Sequence, residues 1–144
     1  MKTKVLFVCI HNSARSQMAE AFMNSLGEGL FEAESAGITP GQLNQNVVQV
    51  MKEVGIDISH NTTKDVFAFF KQGKLFNYVI TVCDEASAER CPIFPGATHR
   101  LHWSFPDPSS FIGTPAEVLT RTRDVRDQIR GHVVNWLESM RIPR

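Results

Sequence analysis

Only three cysteines occur among the 144 residues of this chain, and an odd count cannot close into a fully paired disulfide framework. A cysteine content this low also excludes the small secreted scaffolds that rely on cross-links in place of a core. Net charge is missing too. Fifteen lysines and arginines balance fifteen acids, which leaves no broad basic surface for nucleic acid or an anionic membrane. No apolar run approaches the roughly 20 residues of a membrane span. The run Val5–Ile10 behind Lys2 and Lys4 is short even for a signal-peptide core of ~7–15 residues. A soluble protein in a reducing cytoplasm is expected, where cysteines serve chemistry or metal binding.

What is present fits one domain spanning residues 1–144, within the ~100–200 residues that a single core serves. At 42% hydrophobic and 21% charged residues the chain can bury a proper core. Val5–Ile10 reads as a strand buried on both faces, and His11-Asn12-Ser13 as a turn. Met18, Ala21, Phe22 and Leu26 recur at helical spacing in Ala14–Leu26, with Gly27 as the stop. Phe31–Ser35 is a second strand, Val47–Val54 and Val66–Gln72 are helices, and Tyr78–Cys83 is a third strand. His99–Trp103 reads as an edge strand and Phe105–Gly113 as a loop rich in proline and serine. Thr114-Pro115-Ala116-Glu117 opens a long last helix with an N-cap, a proline at the first helical position and a capping-box acid. The alternation predicts an α/β fold with a mostly parallel, doubly wound sheet. Ligands of such sheets bind beyond the carboxyl ends of the strands, where Cys9 and Cys83 both fall.

The most informative segment is Cys9-Ile10-His11-Asn12-Ser13-Ala14-Arg15-Ser16-Gln17. A cysteine leaves a strand, five residues turn, and an arginine opens a helix. Backbone N–H groups in such a turn form an anion nest, and the helix N-terminus adds partial positive charge. Arg15 offers a planar fork of donors to two oxygens of a tetrahedral oxyanion. The same surroundings favour a Cys9 thiolate, to which Ser16 can donate a hydrogen bond. A cysteine at a strand end is by itself an ordinary core residue, and Cys-x5-Arg alone recurs by chance. The placement between a buried strand and a helix start, with Asn12 and Ser16 beside it, makes the functional reading the stronger one.

Cys9-x5-Arg15-Ser16 resembles the phosphate-binding loop of the low-molecular-weight protein tyrosine phosphatase superfamily. The run from Asn12 to Ala21 is similar to its thioredoxin-coupled arsenate reductase branch. Ser35-Ala36-Gly37-Ile38, the stretch from Met51 to Ser59, and His102-Trp103 leading to Asp107-Pro108 carry the likeness over roughly residues 3–140. It implies a four-stranded parallel sheet flanked by helices. For the site it implies Cys9 as nucleophile, Arg15 as oxyanion clamp and Asp107 as general acid, with residues 10–16 (Ile10, His11, Asn12, Ser13, Ala14, Arg15 and Ser16) holding the substrate. Ile10-His11 departs from the small residues usual in the loop, and His11 is expected to strain it or to add a donor. Lys64 stands where some reductases have an acid beside a monovalent cation near Asn12, Glu20 and Ser35, so the lysine ammonium is expected in place of the ion.

Cys83 and Cys91 separate the branches. A phosphatase needs one thiolate and an acid, whereas reducing arsenate takes two electrons and therefore a dithiol. The resemblance implies that Cys83 attacks Cys9 to expel arsenite, and that Cys91 then moves the disulfide outward to Cys83–Cys91 for thioredoxin. Asp84–Arg90 fits a short helix, and on a regular helix two cysteines eight apart lie near 12 Å, too far to bridge. The segment must therefore loop or unwind, and its interval is one residue longer than the family's usual one. Asp107-Pro108-Ser109 lacks the tyrosine that usually follows in phosphatases, and the lone Tyr78 lies in a strand, which favours a small inorganic oxyanion. Phosphomonoester hydrolysis is the alternative activity. A zinc site of Cys83, Cys91 and His102, or a non-catalytic oxyanion-binding protein, is the alternative outside enzymes, and no metal or bound cofactor is expected. His60, His99 and His132 form no constellation. A monomer using thioredoxin as external reductant is expected, with glutathione and mycothiol systems as other donors.

Overall fold

Strand β1, Thr3–Cys9, is buried from Val5 onward because both of its faces are covered. The computed structural model describes residues 2–83, 90–92, 94, 97 and 99–141. After β1 come α1 (Arg15–Leu26), β2 (Phe31–Gly37), α2 (Gln45–Glu53), α3 (Val66–Lys71), β3 (Tyr78–Thr81) and β4 (His99–His102). A 3-10 turn at Pro108–Ser110 precedes α4 (Pro115–Arg141). All strand pairs are parallel, in the order β2-β1-β3-β4. This is the expected four-stranded α/β architecture.

The alternation along β1 divides the core. Val5, Phe7 and Cys9 pack with Met18 and Phe22 of α1, Met51 of α2, and Ile129 and Val133 of α4. Leu6 and Val8 face the other way, onto Val66 and Phe69 of α3 and onto Phe76. Arg126, almost fully buried, joins α4 to the end of α2 by donating from Nη1 to Val50 O and to Glu53, both at 2.9 Å.

Several boundaries move for identifiable reasons. β2 runs on to Gly37 because its register with β1 continues from Thr3↔Phe31 to Cys9↔Gly37. β3 stops at Thr81, so Cys83 lies two residues beyond the strand and not within it. Helix α2 starts earlier than the apolar pattern suggested, since Asn44 accepts from the Asn46 and Val47 amides as its N-cap. Gly27 ends α1 through close packing, with no left-handed turn. Its φ is −101°, and an added Cβ would stand 2.9 Å from Met23 O and 3.1 Å from the Phe31 ring. The capping box of α4 forms as read, with Glu117 N donating to Thr114 Oγ1 at 3.2 Å and Thr114 N to Glu117 Oε1 at 3.0 Å. The helix expected over Asp84–Arg90 falls on residues 84–89, outside the described residues.

Candidate active site

The turn after β1 is shaped by what its carbonyl groups bond. Cys9 O accepts from Ile38 N at 3.1 Å, Ile10 O from Thr39 N at 2.7 Å and His11 O from Gly41 N at 3.0 Å. Asn12 O accepts from Gln17 Nε2 at 3.0 Å, Ser13 O from Asn44 N at 2.9 Å and Ala14 O from Met18 N at 3.0 Å. In trans peptides each N–H points opposite to the preceding carbonyl, so the N–H groups are left on the inner side as a nest. The Asn12 N–H marks that direction, donating to Cys9 Sγ at 3.1 Å. Gly37 allows the chain after β2 to come this close, because a Cβ there would lie 2.8 Å from Asn12 N and from Ile10 O.

Helix α1 begins at this nest without a side-chain cap. Its N-cap, Ala14, makes no side-chain cap bond, and the first turn carries no acid. The positive end of the helix is therefore open to an anion. Cys9, 2% exposed, lies in the nest with Sγ 2.8 Å from Ser16 Oγ. The His11 ring turns away, its Nδ1 2.8 Å from Thr39 O, so it adds no side-chain donor to the nest. The strain expected at His11 falls on Asn12 instead, whose φ of 54° is left-handed.

Asn12 is fully buried and holds the loop together. Its Nδ2 donates to Ser16 Oγ at 2.7 Å and Ser35 Oγ at 2.9 Å, and its Oδ1 accepts from Lys64 N at 2.9 Å and Gln17 Nε2 at 3.2 Å. Ser35 in turn donates to Glu20 Oε1 at 2.6 Å, and Lys64 Nζ lies 3.8 Å from the same oxygen. Burial pushes the Glu20 carboxyl above its ordinary value, opposed by the Ser35 hydrogen bond and the Lys64 charge. A monovalent cation does not fit here, since the lysine ammonium already faces Glu20 and the Asn12 oxygen is taken by two donors. Gln17, at the end of the loop segment, carries no role that spacing reveals, and its bonds to Asn12 and to Thr62 O make it a brace of the loop. A buried polar residue on the inward side of α1 was the available signal.

Arg15 is 6% exposed and reaches the Pro/Ser-rich loop, with Nη1 donating to Phe105 O at 3.2 Å and Nη2 3.6 Å from Asp107 Oδ2. Its Nε is buried with no hydrogen-bond partner among the described residues, a donor left available to an oxyanion. Asp107 is steadied by Ser109 N donating to Oδ1 at 3.0 Å, and Asn44 Nδ2 ties Ser109 to the start of α2. The structure thus brings Cys9, Arg15, Ser16 and Asp107 to one end of the sheet.

The other two cysteines divide between its faces. Cys83 is buried in the same cluster as Cys9, whereas Cys91 packs with Val8, Val79 and Phe94 on the α3 face. All three are thiols. Burial pushes the Cys91 thiol up to about 11, opposed by the nearby Arg100. Among the described residues no group of three His, Cys, Asp or Glu side chains could hold a metal, and His102 is bonded through Nδ1 to Thr81 Oγ1 at 2.7 Å. His132 lies between the Trp103 and Phe105 rings, and His99 stacks on Tyr78.

Residues 4–142 match the family model for low molecular weight phosphotyrosine protein phosphatase. An arsenate reductase of Shouchella clausii is 37% identical over 138 residues, which cover 96% of this chain and 97% of that protein. A solved structure of an arsenate reductase in the phosphate binding state superposes with a TM-score of 0.74 at 33% identity, covering 96% of this chain and 98% of that one. A thioredoxin-dependent arsenate reductase of Corynebacterium glutamicum superposes with a TM-score of 0.71 at 26% identity, covering 96% of this chain and 60% of that one.

Proposed function

This chain belongs to the low-molecular-weight phosphotyrosine protein phosphatase family, and from that premise we infer that it reduces arsenate to arsenite through a relay of three thiols. The observation that carries the reading is a buried thiol in an anion nest, faced by an arginine whose Nε has no partner among the described residues, with a second thiol in the same cluster. Arsenate enters the nest, its oxygens on the loop amides and the Arg15 fork. Cys9 attacks arsenic, and Asp107 protonates the departing oxygen, which leaves as water. Cys83 then attacks Cys9 Sγ. The electron pair of the S–As bond stays on arsenic, which leaves as arsenite, and a Cys9–Cys83 disulfide remains. Cys91 attacks Cys83, so that the disulfide becomes Cys83–Cys91 and Cys9 departs as a thiolate. A thioredoxin-type dithiol reduces that disulfide, as the name of the Corynebacterium relative says of that protein. Such a cycle belongs in a reducing cytoplasm, and no helix among the described residues is long and apolar enough to cross a membrane.

The test is arsenate-dependent consumption of NADPH with thioredoxin and its reductase, for wild type, Cys83→Ser and Cys91→Ser. Turnover by wild type alone is expected. Absence of wild-type turnover with a competent thioredoxin system refutes the reading, and turnover unaffected by loss of Cys91 points to a glutathione- or mycothiol-type donor instead. The nest does not distinguish phosphate from arsenate by shape, so slow hydrolysis of p-nitrophenyl phosphate is expected as a side activity.

A further inference from the structure

Asn44 joins two halves of the site that come from distant segments of the chain. Its backbone N–H donates to Ser13 O of the nest loop at 2.9 Å. Its Oδ1 caps α2, accepting from Asn46 N at 2.9 Å and Val47 N at 3.2 Å. A carboxamide is planar, so holding Oδ1 on those two amides also sets the direction of Nδ2. Nδ2 donates to Ser109 Oγ at 3.0 Å, and Ser109 N donates in turn to Asp107 Oδ1 at 3.0 Å. Asn44 and Ser109 thus carry a continuous path of hydrogen bonds from the nest loop to the Asp107 carboxyl.

Capping explains only part of what this asparagine does. Serine and aspartate cap helices about as well, but neither can accept from the helix with one atom and donate with another. Other hydrogen bonds of the turn at Pro108–Ser110 are internal to it. Ser110 donates to Asp107 O from both N and Oγ, and Phe111 N donates to Pro108 O. These bonds shape the turn without placing it against the nest. Arg15 supplies another tie, with Nη2 3.6 Å from Asp107 Oδ2, but that guanidinium is also the clamp for the oxyanion. A bound substrate therefore shares it with the Asp107 carboxyl. The tie through Asn44 and Ser109 is not shared in this way.

We propose that Asn44 is a positioning residue for the acid step, holding the Asp107 carboxyl at the nest through Ser109 while Cys9 attacks arsenic. The proposal rests on the reading of Asp107 as the acid. In that step the bond from Cys9 Sγ to arsenic forms and an As–OH bond breaks. The electron pair of the broken bond leaves on oxygen, and the Asp107 proton converts the departing hydroxide to water. Asn44 and Ser109 neither gain nor lose a proton. They fix the separation across which the proton moves, which has to lie within hydrogen-bond reach.

The experiment measures arsenite formed in a single turnover at subsaturating arsenate, and the inhibition constant of inorganic phosphate, which reads the nest without proton transfer. Asn44→Ser keeps the cap of α2 and loses the donor to Ser109. Ser109→Ala leaves Asn44 whole, so one variant remains if the other fails to fold. Each is made in the wild type and in Asp107→Asn. The expected result is arsenite formation slowed about 3–10-fold by either substitution, roughly the worth of one hydrogen bond, with phosphate inhibition unchanged. In Asp107→Asn neither substitution should slow the reaction further. Wild-type rates in either variant overturn the proposal. Equal slowing with and without Asp107, or weakened phosphate inhibition, overturns it too, because Asn44 would then support the nest as a whole. Asp107→Asn reacting as fast as wild type refutes the acid itself and the proposal with it, and that arm tells the two failures apart.

Discussion

Replacing Asn12 tests whether the anion nest is built before substrate arrives. Asn12→Ala removes four side-chain hydrogen bonds, to Ser16, Ser35, Lys64 and Gln17, at a fully buried position. At roughly 1 kcal/mol net for each, less what the serine hydroxyls recover between themselves, the loss is about 3 kcal/mol. Alanine at a φ of 54° adds about 1–2 kcal/mol of left-handed strain, so about 4 kcal/mol is expected in all. Glycine removes the same bonds without that strain, but its unfolded chain is freer by about 0.5–1 kcal/mol, which leaves Asn12→Gly ahead of Asn12→Ala by up to about 1.5 kcal/mol. Urea unfolding followed by circular dichroism reads both differences. With a slope of about 2 kcal/mol per molar, alanine lowers the midpoint by about 2 M and glycine by somewhat less. Both variants should also lose most single-turnover arsenite formation, because Ser16 and the Asn12 N–H would no longer be fixed against Cys9 Sγ. An alanine variant within about 1 kcal/mol of wild type, or a glycine variant less stable than alanine, would mean that Asn12 does not hold the nest in this way.

Other outcomes follow from the same geometry. Ser16→Ala removes the hydroxyl 2.8 Å from Cys9 Sγ, and a bond to a charged group worth about 1.5–3 kcal/mol predicts about 10–100-fold slower arsenite formation in a single turnover; wild-type rates would show that the hydroxyl does not steady the thiolate. Because Lys64 stands in for a cation beside Glu20, the wild-type melting temperature should be equal in potassium chloride and choline chloride at matched ionic strength, while Lys64→Asp should be stabilised by potassium specifically. A wild-type protein that melts higher in potassium contradicts that placement. The Arg123 hydrogen bond, with a smaller contribution from Arg126, holds the Glu53 carboxyl below its ordinary 4.5 against the effect of burial. Its stabilising contribution is therefore full above pH 4.5 and lost as pH falls through its lower folded value. The gap between wild type and Glu53→Gln in thermal unfolding should narrow below pH 4.5, and a gap that widens there would contradict the sign.

Much of this was legible along the chain because it depends on local spacing. The unbroken apolar run of β1 requires cover on both faces, and Thr114-Pro115-Ala116-Glu117 can satisfy its own helix start. Cys9, five turn residues and Arg15 at a helix start place a thiol, a nest and a guanidinium together wherever that strand and helix form. The special role of Gly37 was not legible, since it arises from the nearness of a turn distant in sequence. The same holds for Asn44, which caps α2 and also donates its N–H to Ser13 O in the loop.

The class of fold and the presence of an oxyanion-directed thiol are written along the chain, because both follow from periodicity and short-range geometry. How the polar residues share the interior depends instead on packing between segments distant in sequence. It is the packing of β2, α1 and the Lys64 segment around one buried amide that commits Asn12 to four partners and turns Lys64 towards Glu20. The sheet likewise separates the thiols, with Cys9 and Cys83 on one face and Cys91 on the other. Side chains alternate across a strand, so the face a residue meets depends on the register between strands distant in sequence, which spacing along one chain does not contain.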